Sequence, residues 1–129
     1  MSASIPHSKR PVNLDLLTIK QPSTAIASIL HRVSGVVIFL LLPFMLYALH
    51  HSLISSEHFL RVQECFECGS VRFFIWIFFS ALLYHCLAGI RHVIMDLGFG
   101  ETVKVGRATA TFVIVLGVIG ILELGVYLW

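Results

Sequence analysis

Tyr84-His85-Cys86-Leu87-Ala88-Gly89-Ile90-Arg91-His92-Val93-Ile94-Met95-Asp96 closes a long apolar run that begins near Val71. Such a run reads as a membrane-spanning helix, and this one carries a histidine deep inside it. At about 1.5 Å per residue, His85 lies roughly 20 Å from Arg72 and roughly 16 Å from Asp96. That is near the middle of a hydrocarbon layer about 30 Å thick. An ionisable group at such a depth is costly to place, so it points to a function and calls for a partner.

The helical faces sharpen the question. At about 100° per residue, His85, His92 and Asp96 fall on one stripe, with Ala81, Ala88 and Gly89 within about 60° of it. Small residues beside an imidazole make room for something flat and wide, and they equally suit the close packing of two helices. Arg91 points about 120° away from the stripe. Geometry alone leaves two readings of His85 open: a haem ligand, or a hydrogen-bonded structural histidine.

Of the 129 residues, 57% are hydrophobic and 12% charged, with a net charge of +2. A soluble core of this size could not hide so many Leu, Ile, Val and Phe, so the composition is that of a membrane protein with a single domain over residues 1–129. Residues 1–22 are polar, carry Lys9, Arg10 and Lys20, and contain Pro6, Pro11 and Pro22. They lack the apolar core of a cleavable signal peptide, so insertion is expected to use the first spanning helix. The three cysteines, Cys65, Cys68 and Cys86, make no disulfide framework.

In chain order, residues 1–22 are expected to form an extended surface segment, with Ser23 or Thr24 capping the helix that follows. Spans are expected at about residues 25–50, 71–97 and 108–129. On the first, Ser28, His31, Arg32 and Gly35 share one face where the helix enters the membrane. Pro43 is expected to kink it. Between the first two spans, Ser55 or Ser56 can cap a short helix running through Glu67, with Gly69 as its stop. Cys65 and Cys68 lack the further ligands of a zinc site. Ser70 is expected to cap the second span, and Gly98 with Gly100 to end it. Gly117, Gly120 and Gly125 make the third span a close-packing one, and Glu123 near its far end is an interfacial carboxyl or a proton carrier.

Lysine and arginine set the orientation. Lys9, Arg10, Lys20, Arg32, Arg91, Lys104 and Arg107 fall on the N-terminal side, against Arg61 and Arg72 on the other. The N-terminus is therefore expected in the cytoplasm and the C-terminus outside.

Two stretches together carry a family resemblance. Arg10-Pro11-Val12-Asn13-Leu14-Asp15-Leu16, continuing to Ser28-Ile29-Leu30-His31-Arg32-Val33-Ser34-Gly35, resembles the first signature of the cytochrome b subunits of succinate dehydrogenase. His85 to Gly98 resembles the second. The resemblance covers essentially the whole chain and implies an all-α, three-span anchor subunit of respiratory complex II, part of a heteromeric helix bundle in the bacterial inner membrane. It implies partners as well: a flavoprotein that oxidises succinate, an iron–sulfur subunit that carries the electrons, and a second small anchor subunit. Carried over by motif, His85 is one axial ligand of haem b, Ser28 and Arg32 line a quinone site, and His31 with Arg32 reaches the haem propionates. His92 and Asp96 stand behind the ligand or in the helix packing. Only His85 lies at mid-depth, so the second axial imidazole is expected from another chain.

The succinate chemistry belongs to the partners, for this chain has neither a dinucleotide fingerprint nor a cysteine set for an iron–sulfur cluster. Three other readings stay open at this point. They are an anchor of a quinol:fumarate reductase, a haem-free structural anchor, and a proton-coupled transporter subunit using Glu123 with His85 as a relay.

Overall fold

The computed structural model describes residues 21–100 and 102–129. The extended basic segment expected over residues 1–22 lies outside these, apart from Gln21 and Pro22. Four helices follow in order: α1 Ser23–Ser52, α2 Ser56–Glu67, α3 Gly69–Asp96 and α4 Val103–Leu128. Three of them, α1, α3 and α4, are long and apolar enough to cross a membrane. With 30, 28 and 26 residues they reach about 45, 42 and 39 Å, which leaves a turn or more beyond an apolar layer of about 30 Å.

That excess explains why the helices begin earlier than the apolar pattern suggests. The backbone stays helical through Val103-Lys104-Val105-Gly106-Arg107, where Lys104 and Arg107 are polar enough to meet headgroups but nothing breaks the hydrogen-bond ladder. Thr102 starts α4, its hydroxyl accepting from the Val105 N–H at 3.4 Å.

The caps correct two expectations. Ser55 does cap α2, accepting from the His58 N–H at 3.3 Å. Neither Ser23 nor Thr24 caps α1, which is entered from extended Pro22. Ser23 instead donates to the Arg107 carbonyl at 3.3 Å and ties the start of α1 to α4. Gly69 is no stop and Ser70 no cap, because the chain turns through one extended residue, Cys68 (φ −67, ψ 124), and Gly69 already opens α3. Gly98 and Gly100 end α3 as expected, with φ of 85° and 81° that side chains avoid. α1 continues through Pro43 without a break.

The three long helices run up, down and up. α3 packs against both α1 and α4, α1 also touches α4, and α2 lies across α1 and α3. The centre is Tyr84, Ala88 and Val113, with Leu87 and Ile114 against them. Tyr84 donates its hydroxyl to the Ala27 carbonyl of α1 at 3.3 Å, and Trp76 donates to the Ile121 carbonyl of α4 at 3.1 Å.

The glycines expected to pack closely do so against α3. A β-carbon on Gly117 would lie 2.7 Å from Tyr84 Cδ2, and one on Gly120 would lie 2.5 Å from Leu83 Cδ2. The Tyr84 ring is buried and bonded to α1, so at Gly117 the missing atom sets how near α4 comes to α3. Gly117→Leu is expected to destabilise the purified protein in detergent by about 1–3 kcal/mol, read as a lowered unfolding midpoint. Exposed Val118 serves as the control, and Val118→Leu should leave that midpoint in place.

Candidate functional site

Where α1 and α3 cross, three imidazoles gather. The His31 and His85 rings stack at 4.1 Å with 22° between their planes, and His92 tilts against His31 at 5.1 Å. Their placement follows from helical spacing. His85 and His92 are seven residues apart and so share a face of α3, while His31 meets that face from α1. His85 lies about 16 Å from the Asp96 end of α3, and His31 about 12 Å from the Ser23 end of α1. Because the two helices are antiparallel, those ends lie on the same side of the bundle and the rings come level.

Hydrogen bonds orient the central ring. His85 Nδ1 lies 3.1 Å from the His31 carbonyl and 3.1 Å from Ser34 Oγ, and the Ser34 hydroxyl itself donates to the His31 carbonyl at 2.7 Å. His85 Nε2 makes no hydrogen bond to any described residue. His31 Nε2 is enclosed and also without a partner among the described residues. Glycine makes the close approach possible: a β-carbon on Gly35 would stand 3.1 Å from His85 Cε1, and one on Gly89 3.6 Å from His31 Nε2.

The polar face expected on α1 divides. His31 and Gly35 turn towards α3, Ser28 is half-buried and Arg32 is exposed. Arg32 forms no ion pair among the described residues, the one such pair being Arg61 with Glu57 at 2.6 Å on α2. On α3 the stripe also divides. His85 and His92 join the cluster, whereas Asp96 is exposed at the helix end and outside it.

Arg91, on the other side of α3, is buried against α4. It donates through Nε to Thr109 Oγ1 at 3.2 Å and through Nη2 to the Gly106 carbonyl at 3.1 Å. The sequence placed Arg91 away from the histidine stripe but assigned it no partner. It assigned no role to Ser34 either. The signal for Ser34 was its position three residues after His31, about 60° round the same helix.

Glu123 lines a groove of about 770 Å³ between α3 and α4 together with Cys86 and Tyr127, whereas His85 faces α1. The relay that the transporter reading needs is therefore not assembled. Cys65 and Cys68 are free and exposed. A hydrogen bond from the Ser70 hydroxyl, with help from the Ser70 and Val71 backbone N–H groups, holds the Cys68 thiol below the usual cysteine range. No set of three or more metal-ligating side chains occurs among the described residues.

Comparison with known proteins places this geometry. Residues 6–123 match the family described as "Succinate dehydrogenase/Fumarate reductase transmembrane subunit". The chain belongs to that family. It is 46% identical to the succinate dehydrogenase cytochrome b556 subunit of Coxiella burnetii over 124 residues, 95% of this chain and 99% of the relative. It is 28% identical to the cytochrome b556 subunit of Rickettsia prowazekii over 113 residues, 88% of each chain. It is 33% identical to the cytochrome b560 subunit of Reclinomonas americana over 100 residues, 74% of this chain and 69% of the relative. As a transmembrane subunit of this family it is a multi-pass, all-α membrane protein, and its three long helices are the spans.

The crossing of α1 and α3 in this transmembrane subunit depends on the gap at Gly35. Gly35→Val is expected to destabilise the purified protein by about 1–3 kcal/mol. Gly89→Ala meets only ordinary contact, so it should be neutral or slightly stabilising in the same unfolding assay.

Proposed function

We propose that this chain is the haem b-bearing membrane anchor of a succinate:quinone oxidoreductase, with His85 as one axial ligand of the iron. The observation that carries the reading is the bonding of the His85 ring. Its Nδ1 faces the His31 carbonyl and Ser34 Oγ, which leaves Nε2 as the nitrogen with a free lone pair. A ligating histidine is ordinarily oriented in this way, with one nitrogen bonded to the protein and the other offered to the metal. The unpartnered Nε2 of enclosed His31 supports it too, since a buried polar atom left alone is costly unless a bound group satisfies it. Gly35 and Gly89 let α1 and α3 come close enough to seat both rings.

The second imidazole would come from the other small anchor subunit. His31 does not serve, because its ring is stacked face to face with His85 and the two present faces, not lone pairs, to one another. Held in this way, haem b would supply a one-electron redox centre within the apolar layer. His31 and Arg32 hold its propionates, and His92 packs behind His31. Asp96, one turn further along α3, stands behind this group at the helix end, exposed and outside the cluster.

Ser28 and Arg32 do the work at the quinone. They lie four residues apart on α1, hence on one face, and Arg32 keeps its donors free of any described partner. Their O–H and N–H groups donate to a quinone carbonyl and stabilise the negative charge that builds on it as electrons arrive from the iron–sulfur subunit. Protons reach that carbonyl from the cytoplasmic side. The flavoprotein subunit oxidises succinate, and this chain takes no part in that step. We place the subunit in the bacterial cytoplasmic membrane with its N-terminus inside, following the lysine and arginine asymmetry. A quinol:fumarate reductase would use the same anchor in the other direction, set by the partner flavoprotein and the quinone.

The test is a dithionite-reduced minus oxidised visible spectrum of the complex recovered through a tag on this chain. A sharp b-type α-band is expected, with flavoprotein and iron–sulfur subunits co-purifying, and His85→Ala should abolish or displace the band. A flat spectrum, or an unchanged band in His85→Ala, would sink the ligand assignment. Arg32→Ala removes a charged donor worth about 1.5–3 kcal/mol, so quinone reduction should fall roughly tenfold or more. Dye-linked succinate oxidation, which runs on the flavoprotein, should persist; loss of both activities together would mean that Arg32 serves assembly instead.

A further inference from the structure

We propose that Ser34 is a positioning residue for the haem: it fixes the tautomer and the plane of the His85 imidazole and thereby lowers the potential of the iron. The inference rests on the reading of His85 as an axial ligand and adds a residue to it.

Ser34 is buried, and its hydroxyl donates to the His31 carbonyl at 2.7 Å, the shortest bond in the cluster. A hydroxyl has one proton, so with that proton engaged Ser34 Oγ offers only lone pairs to His85 Nδ1 at 3.1 Å. The His31 carbonyl, at 3.1 Å from the same nitrogen, accepts only. Nδ1 therefore faces two acceptors and carries the proton, since a bare Nδ1 would set its lone pair against two oxygens. A ring that carries its proton on Nδ1 is then bare at Nε2.

Two acceptors do more than one. A carbonyl alone fixes a single line through Nδ1 and leaves the ring free to tilt about it. Ser34 Oγ adds a second point and holds the ring plane. Gly35 makes this possible, because a β-carbon there would stand 3.1 Å from Cε1 and push the ring off both oxygens. Acceptors on Nδ1–H also raise the electron density of the ring, which makes Nε2 a stronger donor and favours the oxidised iron. Removing Oγ withdraws part of that density, so the iron becomes easier to reduce and its potential rises.

The experiment compares Ser34→Ala, Ser34→Thr and His85→Ala in the tagged, assembled complex. The readouts are the haem midpoint potential, by redox titration of the α-band, and the low-spin EPR g-values; neither depends on turnover. Ser34→Ala is expected to keep haem at the parent stoichiometry, to titrate at a higher potential and to shift the largest g-value. Ser34→Thr, which retains the hydroxyl, is expected to titrate with the parent. An unchanged potential and g-value in Ser34→Ala would overturn the proposal, as would a shift of the same size in Ser34→Thr. Should Ser34→Ala fail to assemble, Ser34→Cys decides, because it is close in shape but a weaker acceptor: a raised potential supports the proposal and an unchanged one overturns it. Haem retained unaltered in His85→Ala would defeat the ligand reading itself, and that result is read independently of position 34.

Discussion

A helix that crosses lipid must satisfy its polar groups within the protein, because no water is there to do it. α3 meets this constraint in one recurring way. Trp76, Tyr84, His85 and Arg91 each reach a backbone carbonyl on a neighbouring helix: Ile121 and Gly106 on α4, Ala27 and His31 on α1. Those carbonyls already accept within their own helices and have a second lone pair to give. The four bonds are spread along most of α3, so they set its height against both neighbours and hinder its sliding. Apolar packing cannot do this alone, since lipid tails are as apolar as the side chains they would replace.

The same bonds explain the glycines. A side chain reaches a neighbour's carbonyl only if the two backbones are near, and nearness needs small residues at the crossing. Gly117 admits the Tyr84 ring on the α4 side, and Gly35 admits the His85 ring on the α1 side. Each glycine and the side chain it admits form one unit, which is why a stripe of small residues and a stripe of polar ones fall at matching depths on partner helices.

This bears on what could be read from the sequence. The three spans, the capping role of Ser55, the stops at Gly98 and Gly100, and the close packing of Gly117 and Gly120 were legible, because each depends on local spacing or on one residue's own chemistry. The face that His85 shares with His92 was legible for the same reason, whereas the His31 ring coming level with His85, which the reading had left alone at mid-depth, was not. The start of α4 was not, because hydropathy locates the apolar layer while the hydrogen-bond ladder continues past it to Thr102. Nor was the α2–α3 joint, where a single extended Cys68 does what a glycine stop was expected to do. The bonds of Arg91 to Thr109 and Gly106, and of Ser34 to His85, join residues 15 to 51 positions apart. They depend on how helices rotate against each other, which periodicity within one helix does not specify.

The two seams of α3 differ in a way that separates support from function. On the α4 seam Trp76 and Arg91 both find acceptors there, and glycine closes the backbones together, so the seam holds the bundle. On the α1 seam the bonding is one-sided. His85 is bonded through Nδ1 while its Nε2 is left over, His31 Nε2 is enclosed without a partner among the described residues, and Arg32 is exposed one residue away. An enclosed polar atom without a partner, such as His31 Nε2, is costly unless something satisfies it. In the function proposed above the α1 seam is where the haem docks, and the α4 seam, tied by the Trp76 and Arg91 bonds, is the backing behind it.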